Sequence, residues 1–300
     1  MRRRPVIATA AGTTGESYGP AEWGLLVAIA LMWGSSFLWI AEGVETFSPP
    51  VVTVSRLLLG ALALGSVPRA RRSLPRDEWP ALVGLGLVWM TVPFLLFPIA
   101  QDRGVDSSIA GMINGGTPLF AAVVAAILLR RTPGARQIVG LVVGFGGVVL
   151  VTVPSASGEA DGLGVVLLLV ATALYGLAFN MAVPLVQRHG SLPVLFRAQL
   201  VAIAASLPFG VAGLSSSAWS WTGAGAMVLL GVFSTGLAHV AMTTLGSRVG
   251  ATRGSLPIYF LPVVAVLLGV VVRDESVPVP SLFGMLLVLI GAWLASRRER

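Results

Sequence analysis

Long apolar runs separated by short polar stretches dominate this chain of 300 residues. An α-helix rises about 1.5 Å per residue, so about 17 to 25 mainly apolar residues cross the roughly 30 Å of hydrocarbon in a bilayer. Ten runs come close to this length, at approximately 24–41, 51–68, 81–100, 107–129, 137–153, 162–186, 192–213, 221–246, 254–272 and 279–295. The pattern therefore predicts an all-α membrane protein with ten transmembrane helices.

The composition is typical of a chain whose surface meets lipid rather than water. Hydrophobic residues make up 55% of the chain and charged residues only 11%, whereas a soluble domain carries about a quarter charged residues. A solvent-exposed enzyme and a disordered chain are both excluded. The chain has no cysteine, which excludes disulfides, zinc–thiolate sites, iron–sulfur clusters and thiol catalysis.

The distribution of arginine predicts which side of the membrane each loop faces. All 20 basic residues are arginines, and sixteen lie in the two tails and in alternate loops, while the opposite loops hold only Arg103 and Arg273. Because cytoplasmic loops are enriched in basic residues, we expect a multi-pass protein of the cell (inner or plasma) membrane with both termini in the cytoplasm. The bias also explains the net charge of +7 without a nucleic-acid partner. The sixteen are Arg2, Arg3, Arg4, Arg69, Arg71, Arg72, Arg76, Arg130, Arg131, Arg136, Arg188, Arg248, Arg253, Arg297, Arg298 and Arg300.

The second half of the chain repeats the first at a shift near 144 residues. The matched pairs are Val88 with Val232, Thr91 with Thr235, Pro118 with Pro262, Gly140 with Gly284, and Gly147 with Gly291; at shifts of 142 and 141, Trp33-Gly34 falls on Tyr175-Gly176 and Arg56 on Arg197. Each half holds five predicted helices, and an odd number of crossings inserts the second half from the other side. We therefore expect two inverted five-helix repeats, an architecture associated with secondary transporters.

This segmentation predicts five regions. They are a cytoplasmic N-terminal tail (1–22), a first repeat (23–153), an extracytoplasmic linker (154–161), a second repeat (162–296) and a cytoplasmic C-terminal tail (297–300). The N-terminal tail has no apolar stretch of its own, so it is not expected to be a cleaved signal peptide.

Several short motifs, in order, resemble the drug/metabolite transporter superfamily and specifically its ten-helix EamA-type members. They are Trp33-Gly34-Ser35-Ser36-Phe37, Pro49-Pro50 followed by Arg56, and in each repeat a proline-centred helix (Pro118; Pro262) followed by a Gly-x6-Gly helix (Gly140 to Gly147; Gly284 to Gly291). The resemblance covers about residues 22–296. It implies small-molecule transport, often efflux of amino acids or other metabolites, through a central cavity between helices 1, 3, 4, 6, 8 and 9.

One position departs from the family pattern. The family usually has a glutamate after each proline-centred helix; Glu275 matches it in the second half, whereas Arg131 stands there in the first. The departure puts in doubt any function of the first-half glutamate, but not the fold.

Polar and amphipathic residues at mid-depth are the candidates for substrate binding, because such side chains are costly in hydrocarbon and tend to face a cavity or another helix. Ser35, Thr117 and Ser234 lie at similar depth. Hydrogen bonding between helices is the alternative role for all of them. The predicted substrate-binding residues are Trp33, Ser36, Trp89, Thr91, Asn114, Tyr175, Asn180, Thr235, His239 and Tyr259.

Three basic side chains inside the predicted helices have two interpretations each. His239 could carry a proton near neutral pH or remain a neutral, hydrogen-bonded histidine. Arg56 and Arg197 could contact an anionic substrate group. Alternatively they reach the membrane interface or pair with loop carboxylates, which for Arg56 would be Glu42 or Glu45.

The absent motifs narrow the function. The predicted spans have no acidic residue in their middle, which disfavours proton exchange through a buried carboxylate, and the chain has no Walker loop, HExxH metal site or paired intramembrane aspartates. We therefore expect no cofactor, no metal and no catalytic residue. The favoured function is a secondary transporter that exports a small organic metabolite, an amino acid or similar compound, by alternating access, as a monomer or homodimer in the lipid bilayer. The alternative is an intramembrane enzyme acting on a lipid or lipid-linked substrate.

Overall fold

The computed structural model of the protein describes residues 19–130, 132–156, 162–249 and 254–296. Within these residues the chain forms ten apolar helices and no strand, which confirms the predicted all-α, ten-helix architecture. Eight helices are long and apolar enough to cross a membrane, and α2 and α10 are shorter. The helices are α1 (Pro20–Val44), α2 (Pro49–Gly65), α3 (Arg76–Asp102), α4 (Ser107–Leu128), α5 (Ala135–Pro154), α6 (Gly162–His189), α7 (Ser191–Ser216), α8 (Trp221–Val249), α9 (Leu256–Arg273) and α10 (Val279–Ala295).

Helix α1 begins at Pro20, within the segment predicted as the N-terminal tail. Proline suits the first helical position, where its missing N–H would have no partner in any case. The Glu22 carboxylate accepts a hydrogen bond from the Gly19 backbone N–H at 3.1 Å and so caps the helix. The rest of that tail, residues 157–161 of the predicted linker, and the C-terminal tail lie outside the described residues.

Two helices are interrupted near their middle, and a third begins irregularly. Helix α1 turns at Ser35 between two α-helical pieces, Pro20–Gly34 and Ser36–Val44. Helix α4 is broken between Asn114 and Thr117, and α9 starts as a tight turn, Leu256–Phe260, before its α-helical part. Proline lacks the N–H donor and crowds the preceding turn, so the α-helix resumes in α4 just before Pro118 and begins in α9 just before Pro262.

Helices α3 and α8 each contain a π-helical stretch at equivalent positions of the two repeats. The stretches are Leu87–Thr91 and Leu229–Leu237. In each, a threonine hydroxyl donates to the carbonyl five residues earlier: Thr91 to Gly86 at 3.1 Å, and Thr235 to Leu230 at 2.9 Å. These paired hydrogen bonds obey the shift of 144 residues found in the sequence.

The first helix of each repeat packs against the proline-centred helix of the other repeat. A Cβ atom on Gly34 of α1 would meet Val264 of α9, and one on Gly176 of α6 would meet Phe120 of α4. Phe120 and Val264 are 144 positions apart, so each repeat's first helix packs against the same point of the other repeat's proline-centred helix. The two halves therefore share one architecture.

Helices α5 and α10 cross at their glycines. A Cβ atom on Gly147 would lie 2.6 Å from the Val288 backbone N, and one on Gly140 would lie 2.5 Å from the Ala295 backbone N. Small residues allow this approach of two backbones in a membrane. The Gly-x6-Gly spacing thus places α5 and α10 in direct contact along one face.

Polar contacts join alternate helix ends at one end of the bundle, here called the basic end. Arg248 at the end of α8 pairs with Glu22 at the start of α1 at 3.2 Å. Arg188 at the end of α6 pairs with Glu78 at the start of α3 at 2.9 Å. These pairs show that the helices of each pair run in opposite directions.

The other end, here called the acidic end, carries Glu42, Glu45, Asp106 and Glu275 around Arg273. Arg273 at the end of α9 pairs with Glu42 at 2.5 Å and with Glu45 at 2.8 Å, near the end of α1. One buried apolar cluster, which includes Phe37, Phe97 and Ile109, joins both repeats in this half of the bundle.

Near the basic end, unlike at the acidic end, the buried apolar residues form separate clusters. Leu85 belongs to a cluster of α3, α6 and α7, whereas Leu26 belongs to a separate cluster of α1 and α8. The helices around the centre of the bundle are therefore joined more continuously at the acidic end than at the basic end.

Candidate functional site

A cavity of about 100 Å³ lies at the centre of the bundle, between the two repeats. Its lining comes from α1, α3, α4, α6, α8 and α9, the six helices that the family resemblance implies, and from α2 through Arg56. The lining residues are Trp33, Ser36, Phe37, Ile40, Arg56, Trp89, Phe94, Phe97, Asn114, Thr117, Tyr175, Phe179, His239, Ile258 and Leu261. The interruptions of α1 and α4 and the irregular start of α9 all meet at this cavity.

Arg56 is the charged group of the cavity wall. Its side chain is almost fully buried, at 7% exposure. Its Nε donates to the Thr235 hydroxyl at 2.9 Å, and its guanidinium carbon lies 3.7 Å from the centre of the Phe94 ring. Among the described residues no carboxylate forms an ion pair with Arg56, so within that part of the chain its charge has no counter-ion.

His239 lies beside Arg56 through a shared partner. Its Nδ1 forms a hydrogen bond with the Thr235 carbonyl oxygen, while the hydroxyl of Thr235 accepts from Arg56. A carbonyl oxygen can only accept, so the hydrogen of a neutral His239 ring resides on Nδ1 and leaves Nε2 as an acceptor. One threonine thus orients both basic side chains of the cavity.

Aromatic rings form most of the remaining wall. Trp33 and Trp89 present edge contacts to His239, with ring centres 5.6 and 6.3 Å apart. On the side toward the acidic end, Phe97 lies 5.6 Å from Phe37 and stacks on Tyr175 at 5.8 Å. The cavity therefore combines one buried cation with broad apolar and π surfaces.

The polar groups of the helix interruptions are mostly bonded locally. The Ser36 hydroxyl donates to the Trp33 carbonyl at 2.6 Å, and the Thr117 hydroxyl donates to the Asn114 carbonyl at 2.7 Å. The Asn114 side chain accepts a weaker bond from Thr117 at 3.3 Å. Asn114 is therefore the polar side chain of this group with spare hydrogen-bonding capacity.

The structure brings six of the ten predicted substrate-binding residues, and one of the two predicted anion contacts, to this cavity. They are Trp33, Ser36, Trp89, Asn114, Tyr175, His239 and Arg56. Thr235 lies directly behind them as the support of Arg56 and His239. Their contact with a substrate remains a prediction.

The other predicted residues lie outside the cavity lining, in contacts between or within helices. Thr91 donates to a carbonyl of its own helix, and the Asn180 amide donates to the carbonyls of Ala121 in α4 and Gly176 at 3.0 and 2.9 Å. Tyr259 packs against the cluster around Leu119. Of these, Asn180 makes the hydrogen bond between helices that was the alternative role, and substrate contact by any of them remains a prediction.

The two arginines at equivalent positions have different surroundings. The Arg197 Nη2 donates to the backbone carbonyls of Arg71 and Arg72, at 3.0 and 3.3 Å, in the connection after α2. The predicted pairing of Arg56 with Glu42 or Glu45 is wrong, because both glutamates bind Arg273 and Arg56 turns inward to α8.

Sequence reasoning missed most of the apolar lining. Phe94, Phe97, Phe179, Ile258 and Leu261 were not predicted because apolar residues that face lipid and those that face a cavity look the same in sequence. Helical spacing could have found some of them: Phe179 follows Tyr175 by one turn, and Phe37 follows Trp33 by one turn.

Glu275 at the acidic end caps α4 of the other repeat. Its carboxylate accepts from the Ser107 backbone N–H at 2.9 Å, from the Ser107 hydroxyl at 2.7 Å and from the Ser108 backbone N–H at 2.8 Å. A carboxylate is well placed against the N-terminus of a helix. Arg131, which occupies the equivalent position in the first repeat, lies outside the described residues.

Asp106 lies close to this group. Burial raises the pKa of Asp106 above its ordinary value, the neighbouring Glu275 carboxylate raises it further, and Arg273 opposes the shift. A wider depression of about 520 Å³ at the acidic end includes Asp106 in its lining with Glu45, Asp102, Asp274 and Glu275. This carboxylate-lined depression sits among the helix ends, so the central cavity, with its buried cation and aromatic wall, is the better candidate site.

Comparisons with known proteins cover both repeats. Residues 22–153 and 162–297 each match the family model described as "EamA-like transporter family". The chain is 22% identical over 278 residues to an uncharacterized transporter of Archaeoglobus fulgidus, covering 93% of this chain and 99% of the relative. It is 25% identical over 284 residues to a probable terminal-alkyne amino-acid exporter of Streptantibioticus cattleyicolor, covering 93% and 94% of the two chains.

Two further similarities agree with these. The chain is 25% identical over 290 residues to the uncharacterized inner membrane transporter YedA of Escherichia coli, covering 91% and 92% of the two chains. A crystal structure with 19% sequence identity superposes with a TM-score of 0.61, covering 92% of this chain and 97% of the other. At that identity the superposition supports the fold alone.

Proposed function

Because this chain belongs to the EamA-like transporter family, we propose that it is a secondary transporter that moves a small organic metabolite, an amino acid or a similar compound, out of the cell by alternating access. The observation that carries the proposal is the central cavity, which lies between the two repeats and is lined by equivalent residues of both, such as Trp33 and Tyr175. A site shared by two inverted halves is the arrangement that alternating access requires.

The two ends of the bundle support a gating role for α1 and α9. At the acidic end, Arg273 holds the ends of these helices together through Glu42 and Glu45. At the basic end, the clusters around Leu26 and Leu85 are separate. We assign the basic end to the cytoplasm, with both tails, and the acidic end and the linker 154–161 to the outside, because of the arginine bias. Export then needs the Arg273 contacts to part.

The described residues of the cavity do not form a group of side chains that would support an enzymatic function. Among the described lining residues there is no carboxylate, and the Ser36 hydroxyl bonds a backbone carbonyl rather than a base. No group of three or more potential metal ligands occurs in the described part of the chain. The relatives carry the names of transporters or exporters, which also points away from an enzyme.

Metabolite profiling tests the proposal directly. Cells that overexpress the protein and cells that lack its gene are compared for metabolites in the cytosol and in the medium. We expect a small set of unmodified organic metabolites to move from the cytosol to the medium on overexpression. A chemically altered product, with no change in distribution, would support the enzyme instead.

A variant that fills the cavity makes the test specific to this site. Ser36→Trp places a large ring in a cavity of about 100 Å³, and we expect export to fall to the level of the deletion strain. Leu62→Trp is the matched control, because Leu62 is 72% exposed on the outer surface of α2. Equal export by both variants at equal membrane abundance would place the transport route elsewhere.

A further inference from the structure

We propose that Arg56 is the binding residue for a substrate carboxylate, and that the central cavity selects a small α-amino acid with an apolar side chain. This inference rests on the proposed function and assigns the substrate class of the same cavity.

Among the described residues, Arg56 has no carboxylate partner for its buried charge. A guanidinium has five N–H donors, and in the described structure one of them, on Nε, is used by Thr235. A buried charge without a partner is strongly unfavourable. Arg56 lines the cavity and is only 7% exposed, so pairing with an anion that enters the cavity would lower the cost of burying its charge.

Thr235 and Phe94 hold the Arg56 side chain in place. The Thr235 hydroxyl accepts a hydrogen bond from the Nε of Arg56 and donates one to the carbonyl of Leu230, and these two bonds fix its orientation. Phe94 stacks under the guanidinium plane at 3.7 Å. The guanidinium is thereby held in one orientation before a ligand binds, which lowers the entropy cost of binding.

Arg197, the equivalent arginine of the second repeat, has different hydrogen-bond partners from Arg56. The repeat places arginine at equivalent positions of α2 and α7. Arg197 satisfies backbone carbonyls of the chain itself, whereas Arg56 has no such acceptors in the described residues. A purely architectural arginine would be expected to resemble Arg197.

The surroundings of Arg56 select the rest of the ligand. The planar guanidinium fork matches a carboxylate in a bidentate geometry. Nε2 of His239 is an acceptor for an ammonium group, and the rings of Trp33 and Trp89 lie beside the same imidazole through edge contacts. Phe37 and Phe97 line the cavity with apolar rings, against which an apolar side chain of the ligand would pack.

Ligand binding to the purified wild-type protein is the first arm of the test. Leucine, valine and alanine are titrated while the fluorescence of the tryptophans, two of which line the cavity, is followed. We expect at least one of them to bind, and leucinamide and isopentylamine, which lack the carboxylate, to bind about tenfold or more weakly than leucine. Equal binding of leucinamide, competition by inorganic phosphate alone, or no binding of any of the three amino acids would overturn the inference.

Arginine variants are the second arm. Arg56→Gln should weaken binding of the amino acid on the order of a hundredfold, and Arg56→Lys about tenfold, because lysine keeps the charge but not the bidentate fork. Arg197→Gln is the control and should bind as the wild type does. Unchanged affinity in Arg56→Gln would show that Arg56 is structural. If Arg56→Gln fails to fold, the wild-type comparison of leucine with leucinamide still decides.

Transport in proteoliposomes separates this inference from the proposed function. Movement of a solute that has no carboxylate, unaffected by Arg56→Lys, would leave the transporter proposal standing and overturn the carboxylate site. Binding of leucine that depends on Arg56, without movement of leucine or any other solute tested, would support the site and contradict the transporter proposal.

Discussion

At the residue scale, two threonines at equivalent positions of the repeat have the same local geometry but different partners. The hydroxyls of Thr91 and Thr235 each donate a hydrogen bond to the carbonyl five residues earlier in a π-helical stretch. Of the two, only Thr235 also accepts a hydrogen bond from the Nε of an arginine and lies next to the ring of His239. π-Helical turns are often found at functional sites, and here the turn in α8 directs a hydroxyl toward the buried cation of α2.

The substitution Thr235→Val tests this support. It removes the acceptor for Arg56 while keeping the shape of the side chain, and a hydrogen bond to a charged group is worth about 1.5–3 kcal/mol. We therefore expect binding of the transported solute to weaken about tenfold or more. Affinity is measured by titration of the purified protein.

Thr91→Val is the matched control for that substitution. It removes the same hydrogen bond to a helix carbonyl in the other repeat, and the structure gives Thr91 no arginine partner among the described residues. An equal loss of affinity in both variants would attribute the effect to the π-helical turns rather than to Arg56.

The limits of sequence reasoning at this scale have a clear physical origin. Arg56 was paired with Glu42 or Glu45 because they are near in sequence and depth, but the rotation of α2 about its axis decides the partner, and that rotation is fixed by packing against α8. Trp33 and Trp89 could be identified as cavity candidates because they sit far from the headgroup layer, where tryptophan is common. Phe94 and Phe97 carried no such signal.

At the element scale, the helices meet where glycine replaces a side chain. Helix α4 approaches α9 at Gly111, which faces Ala265, and α5 approaches α10 at Gly147. The Gly-x6-Gly spacing and the two central prolines predicted these helices well, since such residues have few other reasons to recur at one spacing. The turn at Ser35 and the π-helical stretches were not predicted, because serine and apolar residues are compatible with continuous helix.

The substitution Gly147→Ala tests the α5–α10 contact. The added Cβ would lie 2.6 Å from the Val288 backbone N, and backbone cannot move aside as a flexible side chain does. Overpacking of this kind costs about 1–3 kcal/mol, so we expect a lower melting temperature in detergent, measured by thermal denaturation.

The neighbouring residue provides the control for this contact. A Cβ on Gly146 would have no atom within 4 Å, and alanine favours helix over glycine by about 0.5–1 kcal/mol. Gly146→Ala should therefore leave stability unchanged or slightly raised. An equal loss of stability in both variants would contradict the close packing of α5 and α10.

At the scale of the whole molecule, equivalent positions of the two repeats share their backbone geometry, whereas the sign of the charge depends on the end of the bundle. Arg130 and Asp274 end α4 and α9, lie 144 positions apart, and both adopt the left-handed conformation, with φ of 51° and 53°. Their backbones are equivalent, but one carries a positive and the other a negative charge. A difference of this kind is expected if equivalent loops face opposite sides of a membrane, because only cytoplasmic loops are selected for arginine.

Equivalent loops after the second helix of each repeat offer the sharpest test of this inverted arrangement. Ser73 follows α2 and Ser216 ends α7, and both are exposed. The chain has no cysteine, so Ser73→Cys and Ser216→Cys can be labelled without a background thiol. In intact cells a membrane-impermeant maleimide should label position 216, and position 73 only after the membrane is permeabilised. Labelling of both from the same side would contradict the inverted repeats and remove the geometric basis for alternating access, whatever the cavity binds.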